Sequence, residues 1–130
     1  MDADRLRDIP LFSSLSRDER ERVAQWADEV EVGAGKHLAD EGDFAHEFFA
    51  IEEGTAEVTV RGERVAELGP GDFFGEIALV ETERRTASVI ATSPMRLIVM
   101  FGRDFREMES EIPEIAERIT ATVRERMKTS

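Results

Sequence analysis

Between residues 33 and 75, glycine recurs at short intervals: Gly33, Gly35, Gly42, Gly54, Gly62, Gly69, Gly71 and Gly75. The runs between them are short and rich in Val, Ile, Phe and Thr. No long helix survives that density, because each interior glycine costs a helix about 1 kcal/mol relative to alanine. Short strands joined by tight turns accommodate it well. Phe49 and Ile51 alternate with Phe48 and Ala50, and Ala56, Val58 and Val60 alternate with polar residues. That is the period of two that puts alternate side chains on opposite faces of a sheet. Arg61-Gly62 predicts a tight hairpin turn. Gly69-Pro70-Gly71-Asp72 fits a type II turn, with proline first and glycine second at its centre. Strand character resumes over 87–91 and 96–101.

The flanks are helical in pattern. Leu6, Ile9, Leu11, Phe12 and Leu15 form an apolar lead-in interrupted at Pro10. Ser16 and Glu19 make a capping box. The helix it opens is expected to carry Val23, Trp26, Ala27 and Val30 on its apolar side. After the strands, residues 103–110 form a short helix bearing Phe105 and Met108. Ser110 is expected to cap the next helix, with Pro113 in its first turn. Ile112, Ile115, Ala116, Ile119 and Val123 then fall on one stripe. The expected fold is mainly β with flanking helices: a jelly-roll β-barrel (double-stranded β-helix) over 30–101, a helical lead over 1–29 and two helices over 103–130. All 130 residues are expected to form one domain.

Charge narrows the function. Lys and Arg number 17 against 29 Asp and Glu, a formal net charge of -12. A polyanion partner needs a basic face, so nucleic acid is not an expected ligand of this domain. Cysteine is absent, which excludes disulfides and thiolate metal sites. The start of the chain, Met-Asp-Ala-Asp-Arg-Leu-Arg-Asp, has no apolar core of a signal peptide. The longest apolar run, 97–101, is far too short to cross a bilayer. A cytoplasmic location without membrane contact is the expectation. His37 and His46 are too few for a metal centre, and there is no H-x-H pair or Ser/His/Asp set. Neither metal nor enzymatic activity is expected.

The chemistry concentrates in Phe74 to Ser88, F-G-E-I-A-L-V-E-T-E-R-R-T-A-S. Gly75 lets its backbone approach a ligand closely. One helical turn over 76–80 would aim amides at the same spot. Glu76 cannot hold a phosphate, since both are anions, but it accepts from a hydroxyl such as a ribose 2′-OH. Arg85 supplies a planar fork that matches two phosphate oxygens. Thr86, Ala87 and Ser88 add amides and hydroxyls. Arg84 is expected to be a solvated charge. The set suits a compact phosphate joined to a sugar, and the residue types alone do not say that the phosphate is cyclic.

That run closely resembles the phosphate-binding cassette of cyclic-nucleotide-binding domains, whose pattern F-G-E-[LI]-A-L, a short loop, then R-[TA]-A-[ST] is matched at every place. Glu41-Gly42-Asp43, Phe48-Phe49-Ala50-Ile51 and Gly54 resemble the family's second and third strands. Ile9 to Leu15 resembles its N-terminal lead, and the final helices its hinge and lid. The resemblance implies a sensor of cAMP or cGMP that needs no other cofactor. It implies Arg85 on the cyclic phosphate and Glu76 on the ribose 2′-OH, with amides from Gly75, Ile77 and Ala78. Thr86 and Ala87 would complete the phosphate pocket, and Thr86 can also reach a purine base. Val65 and Leu68 are implied as the wall of the base pocket, and Leu79 as the apolar relay to the hinge helix. Arg118 and Arg124 are the lid positions considered for base contact. An effector protein of unspecified identity is implied, and a homodimer through the last helix is left open. The alternative is a member of the fold that has lost its ligand and serves as a protein-interaction module.

Overall fold

The computed structural model describes residues 1–80 and 84–129. Among these residues eight strands form two four-stranded antiparallel sheets. They are β1 (Asp28–Val32), β2 (His37–Ala39), β3 (Glu47–Glu53), β4 (Ala56–Val60), β5 (Glu63–Leu68), β6 (Phe73–Phe74), β7 (Ser88–Ala91) and β8 (Met95–Phe101). One sheet has the order β1-β8-β3-β6 and the other β2-β7-β4-β5. Each sheet keeps two edge strands, so the jelly-roll is an open sandwich and not a closed barrel. The helices are α1 (Arg17–Val23), α2 (Ile77–Val80), α3 (Gly102–Glu111) and α4 (Pro113–Thr129), with 3-10 turns at Ala3–Leu6 and Ala24–Trp26.

The two central strands of the first sheet are buried on both faces. Phe49, Ile51, Leu97 and Val99 point between the sheets, where they meet Ala56, Val89 and Ala91. Phe48, Ala50, Ile98 and Met100 point the other way, into a layer built from Leu6, Phe12, Phe105, Met108, Ile112, Ile119 and Val123. This explains why 48–51 and 97–101 are continuous apolar runs while β4 alternates: only strands covered on both sides need two apolar faces. Phe48 meets Phe12 edge-on, with ring centroids 6.1 Å apart.

The turns follow their residues. Arg61 and Gly62 both have positive φ, 53° and 81°, as a hairpin of this length requires. Gly71 has φ 90°, and Asp72 N–H donates to the Gly69 carbonyl at 3.0 Å. The Ser16–Glu19 capping box is present in both directions.

Three local expectations are corrected. The helix opened by Ser16 ends at Val23, and Val30 lies in β1. Asp28–Val32 pairs with β8 in register from Asp28 with Val99 to Val32 with Met95. That long ladder outweighs the weak helical spacing of four residues. Ser110 is inside α3, which runs through Glu111, so it caps nothing; Ile112 alone joins α3 to α4. The strand before α3 begins at Met95 and that after the cassette at Ser88.

Candidate functional site

The cassette begins where β6 ends. Phe74 stacks on Phe49 with ring centroids 4.9 Å apart. The chain then reverses through Gly75 at φ 80°. A Cβ there would lie 2.5 Å from the Glu47 carbonyl and 2.6 Å from Arg85 Nη1. Only glycine satisfies both the left-handed backbone and the close approach. α2 follows as a single turn, with the Ala78 amide donating to the Gly75 carbonyl at 3.0 Å and the Leu79 amide to Glu76 at 3.1 Å. Ala78 and Leu79 are buried. Leu79 belongs to the same apolar cluster as Phe105 and Met108.

Arg85 is half-buried and folds over Gly75. Its Nη2 donates to the Glu47 carbonyl at 2.7 Å. Burial pulls its pKa below the usual arginine value, and the carboxylates of Glu47 and Glu76 act the other way. An arginine so placed is still charged at neutral pH. It is a cation that has given up part of its hydration, and among the described residues its side chain donates to a backbone carbonyl and to no carboxylate. An incoming anion restores that loss, which is the electrostatic setting of an anion site. Glu76 is half-buried and close enough for its charge to act on Arg85. The structure thus brings Gly75, Glu76 and Arg85 together. Thr86 is exposed and Ala87 half-buried just beyond. Ile77 starts α2.

Arg85 also lines a cavity of about 810 Å³ whose walls include Val30, Leu38, Phe44, Glu47 and Phe49. Gly75 and Glu76 are not among its walls. The guanidinium therefore stands at the boundary between this cavity and the cassette turn. The expected base-pocket residues divide. Val65 is 60% exposed on β5, whereas Leu68 packs against the core between the sheets. Arg118 does not face the cassette. It donates to Glu19 Oε2 at 2.6 Å and to the Ser14 carbonyl at 3.3 Å.

Two residues contribute in ways the sequence reading missed. A Cβ on Gly102 would lie 2.5 Å from the Ala78 carbonyl, and the Gly102 amide donates to the His46 carbonyl at 2.9 Å. Gly102 is thus where the cassette turn touches the start of α3. Its signal was a glycine placed directly after a strand and before a helix. Arg84 is not merely solvated: Nη1 donates to the Gly42 carbonyl at 2.7 Å and the guanidinium lies 4.3 Å from the Phe44 ring centroid. Among the described residues no cluster of three potential metal ligands occurs. No described helix is long and apolar enough to cross a membrane.

Comparison with known proteins names the class. Residues 29–111 match the family model described as Cyclic nucleotide-binding domain. The chain is 35% identical over 116 residues to a cAMP-dependent protein kinase regulatory subunit of Emericella nidulans, covering 87% of this chain and 28% of that protein. It is 35% identical over 118 residues to a cyclic nucleotide-gated potassium channel of Rhizobium etli, covering 91% of this chain and 33% of the channel. Among solved structures, the N-terminal domain of a transcriptional regulator from Streptomyces coelicolor superposes with a TM-score of 0.84 at 25% identity, over 99% of this chain and 94% of that one. The chain belongs to the cyclic nucleotide-binding domain family. It spans a third or less of the length of these two curated relatives.

Proposed function

We propose that this domain is a sensor that binds cAMP or cGMP at the cassette and passes the event to its C-terminal helices. Arg85 takes the cyclic phosphate. Glu76 accepts from the ribose 2′-OH, and Gly75, Ile77 and Ala78 supply the backbone beneath the phosphate. Thr86 and Ala87 flank it, with Val65 and Leu68 on the side of the base. The observation that carries this reading is the half-buried Arg85 guanidinium lying directly over the Cβ-less Gly75, with the Glu76 carboxylate in electrostatic range.

Transmission follows from packing. Leu79 shares one apolar cluster with Phe105 and Met108, and Gly102 lets α2 and α3 touch. A ligand that pulls the cassette inward alters those contacts, and α4 follows α3 through the single residue Ile112. The ligand shifts the helices only by its differential contacts with the two arrangements. An effector protein reads the helix position, and the domain itself performs no catalysis.

Calorimetry against cAMP, cGMP and 5′-AMP tests the reading. Saturable binding of a cyclic nucleotide, much tighter than that of 5′-AMP, is expected. At 100 times the dissociation constant it should stabilise the fold by about 2.7 kcal/mol. No heat with either cyclic nucleotide, together with an unshifted melting curve, would sink the sensor reading in favour of a ligand-free interaction module.

A further inference from the structure

Arg85 lies outside every strand, because β7 begins only at Ser88. Among the described residues no named strand includes the backbone of the residue on which phosphate capture depends. What holds it is the loop before β3. Arg85 N–H donates to the Asp43 carbonyl at 2.6 Å, and Gly42 N–H donates to the Arg85 carbonyl at 2.9 Å. The next residue outward adds an isolated antiparallel bridge between Phe44 and Arg84. Further along, the Glu41 amide donates to Ser88 Oγ at 2.9 Å. The loop itself is turned by Gly42 at φ 90°.

Two backbone bonds at a surface are easily exchanged for water, so an added side-chain contact across the same junction has leverage here. Arg84 provides one. Its guanidinium covers the Phe44 ring at 4.3 Å, while Nη1 reaches across to the Gly42 carbonyl at 2.7 Å. Phe44 is 48% exposed, too open to owe its place to the core. The aromatic face and the cation are complementary in charge. The pair spans the same junction as the two backbone bonds made by Arg85.

We propose that Arg84 and Phe44 form a clamp that positions Arg85 for its anion, making both of them positioning residues of the nucleotide site. The inference rests on the reading of Arg85 as the phosphate ligand. The clamp ties the loop to the residue beside Arg85, so that the guanidinium meets the ligand without a further ordering cost. Removing the ring frees the loop and leaves Arg85 present but less well placed.

The test is cyclic-nucleotide affinity, by calorimetry, in Phe44→Leu, Phe44→Trp, Arg84→Gln and the double variant Phe44→Leu/Arg84→Gln. Phe44→Leu keeps apolar bulk and removes the ring; a loss of about three- to fivefold in affinity is expected, the size of an exposed cation–π contact. Phe44→Trp should restore parental affinity, which a purely structural role for the side chain would not require. Arg84→Gln should cost a similar factor, and the double variant no more than either single, because the pair acts as one unit. Additive losses, unchanged affinity in Phe44→Leu, or failure of Phe44→Trp to restore binding each overturn the clamp. If Arg85→Ala abolishes binding while the clamp variants bind as the parent does, only the clamp falls. If the parent binds no cyclic nucleotide, the sensor reading falls first and takes the clamp with it.

Discussion

The helical layer over the sheet β1-β8-β3-β6 and the cassette at its end are held together differently. On the helical side Leu6, Phe12, Phe48, Phe105 and Met108 are wholly buried, and close packing fixes their places. In the cassette Arg85 is half-buried and is positioned by hydrogen bonds with backbone groups of Gly42, Asp43 and Glu47. Apolar packing is strong and insensitive to direction; polar positioning is weaker but aims individual groups. The difference teaches where ligand energy can act. A bound anion adds little to a packed core but can reorder a loop held by a few hydrogen bonds. Leu79 and Gly102 are the points where the polar side touches the apolar one.

The comparison breaks most visibly with Phe105→Ala. Loss of a wholly buried ring should destabilise the fold by about 3–5 kcal/mol, measured by urea unfolding. A loss well under 1 kcal/mol would show that the helical layer is not the rigid side. Arg85→Ala is the counterpart on the other side. It should cost about 2–5 kcal/mol in cyclic-nucleotide affinity and much less in unfolding free energy. If stability falls as far as in Phe105→Ala, the cassette is structural and the contrast fails.

Gly102→Ala probes the junction. The added methyl group meets the Ala78 carbonyl at 2.5 Å, and relieving that clash should cost about 1–3 kcal/mol. Affinity for the ligand should change as well, because α2 must shift. Unaltered affinity alongside lowered stability would separate the cassette from α3.

The smallest effect concerns α4. Glu19 accepts from Arg118 and from the Ser16 amide, and these contacts, Arg118 first, lower its pKa from 4.5 to about 2. The unfolded chain therefore binds the extra proton between those values. The stability from this contact is complete above pH 4.5 and disappears as the pH falls toward 2. Arg118→Ala should flatten the stability curve in that window: the variant is modestly less stable than the parent above pH 4.5, since exposed ion pairs contribute modestly, and the two curves converge as the pH falls toward 2. An identical acid limb in parent and variant would remove Arg118 as the link between α4 and α1.

Much was legible because the signals are local. The Ser16–Glu19 box, the Arg61-Gly62 and Gly69-Pro70-Gly71-Asp72 turns, the alternation in β4 and the cassette from Phe74 to Ser88 all state their geometry within a few residues. Val30 was not legible: its spacing fits a helix of four apolar positions, and only the β8 ladder makes 28–32 a strand. Ser110 has the chemistry of a cap, yet the α3 turn carries on past it to Glu111. Arg84 next to Arg85 reads as redundant charge until the loop carrying Phe44 comes back 40 residues out of sequence order to meet it.

Residue order by itself determined the strand-rich middle, the helical flanks and the grouping of Gly75, Glu76 and Arg85 into one short segment, because turn chemistry and side-chain period act between near neighbours. Only the tertiary structure decided which arginine folds over Gly75, which one grips Phe44, and where α2 meets Gly102. Those outcomes depend on carbonyls and rings supplied by distant parts of the chain, and no spacing within a segment encodes where a partner strand or loop will arrive.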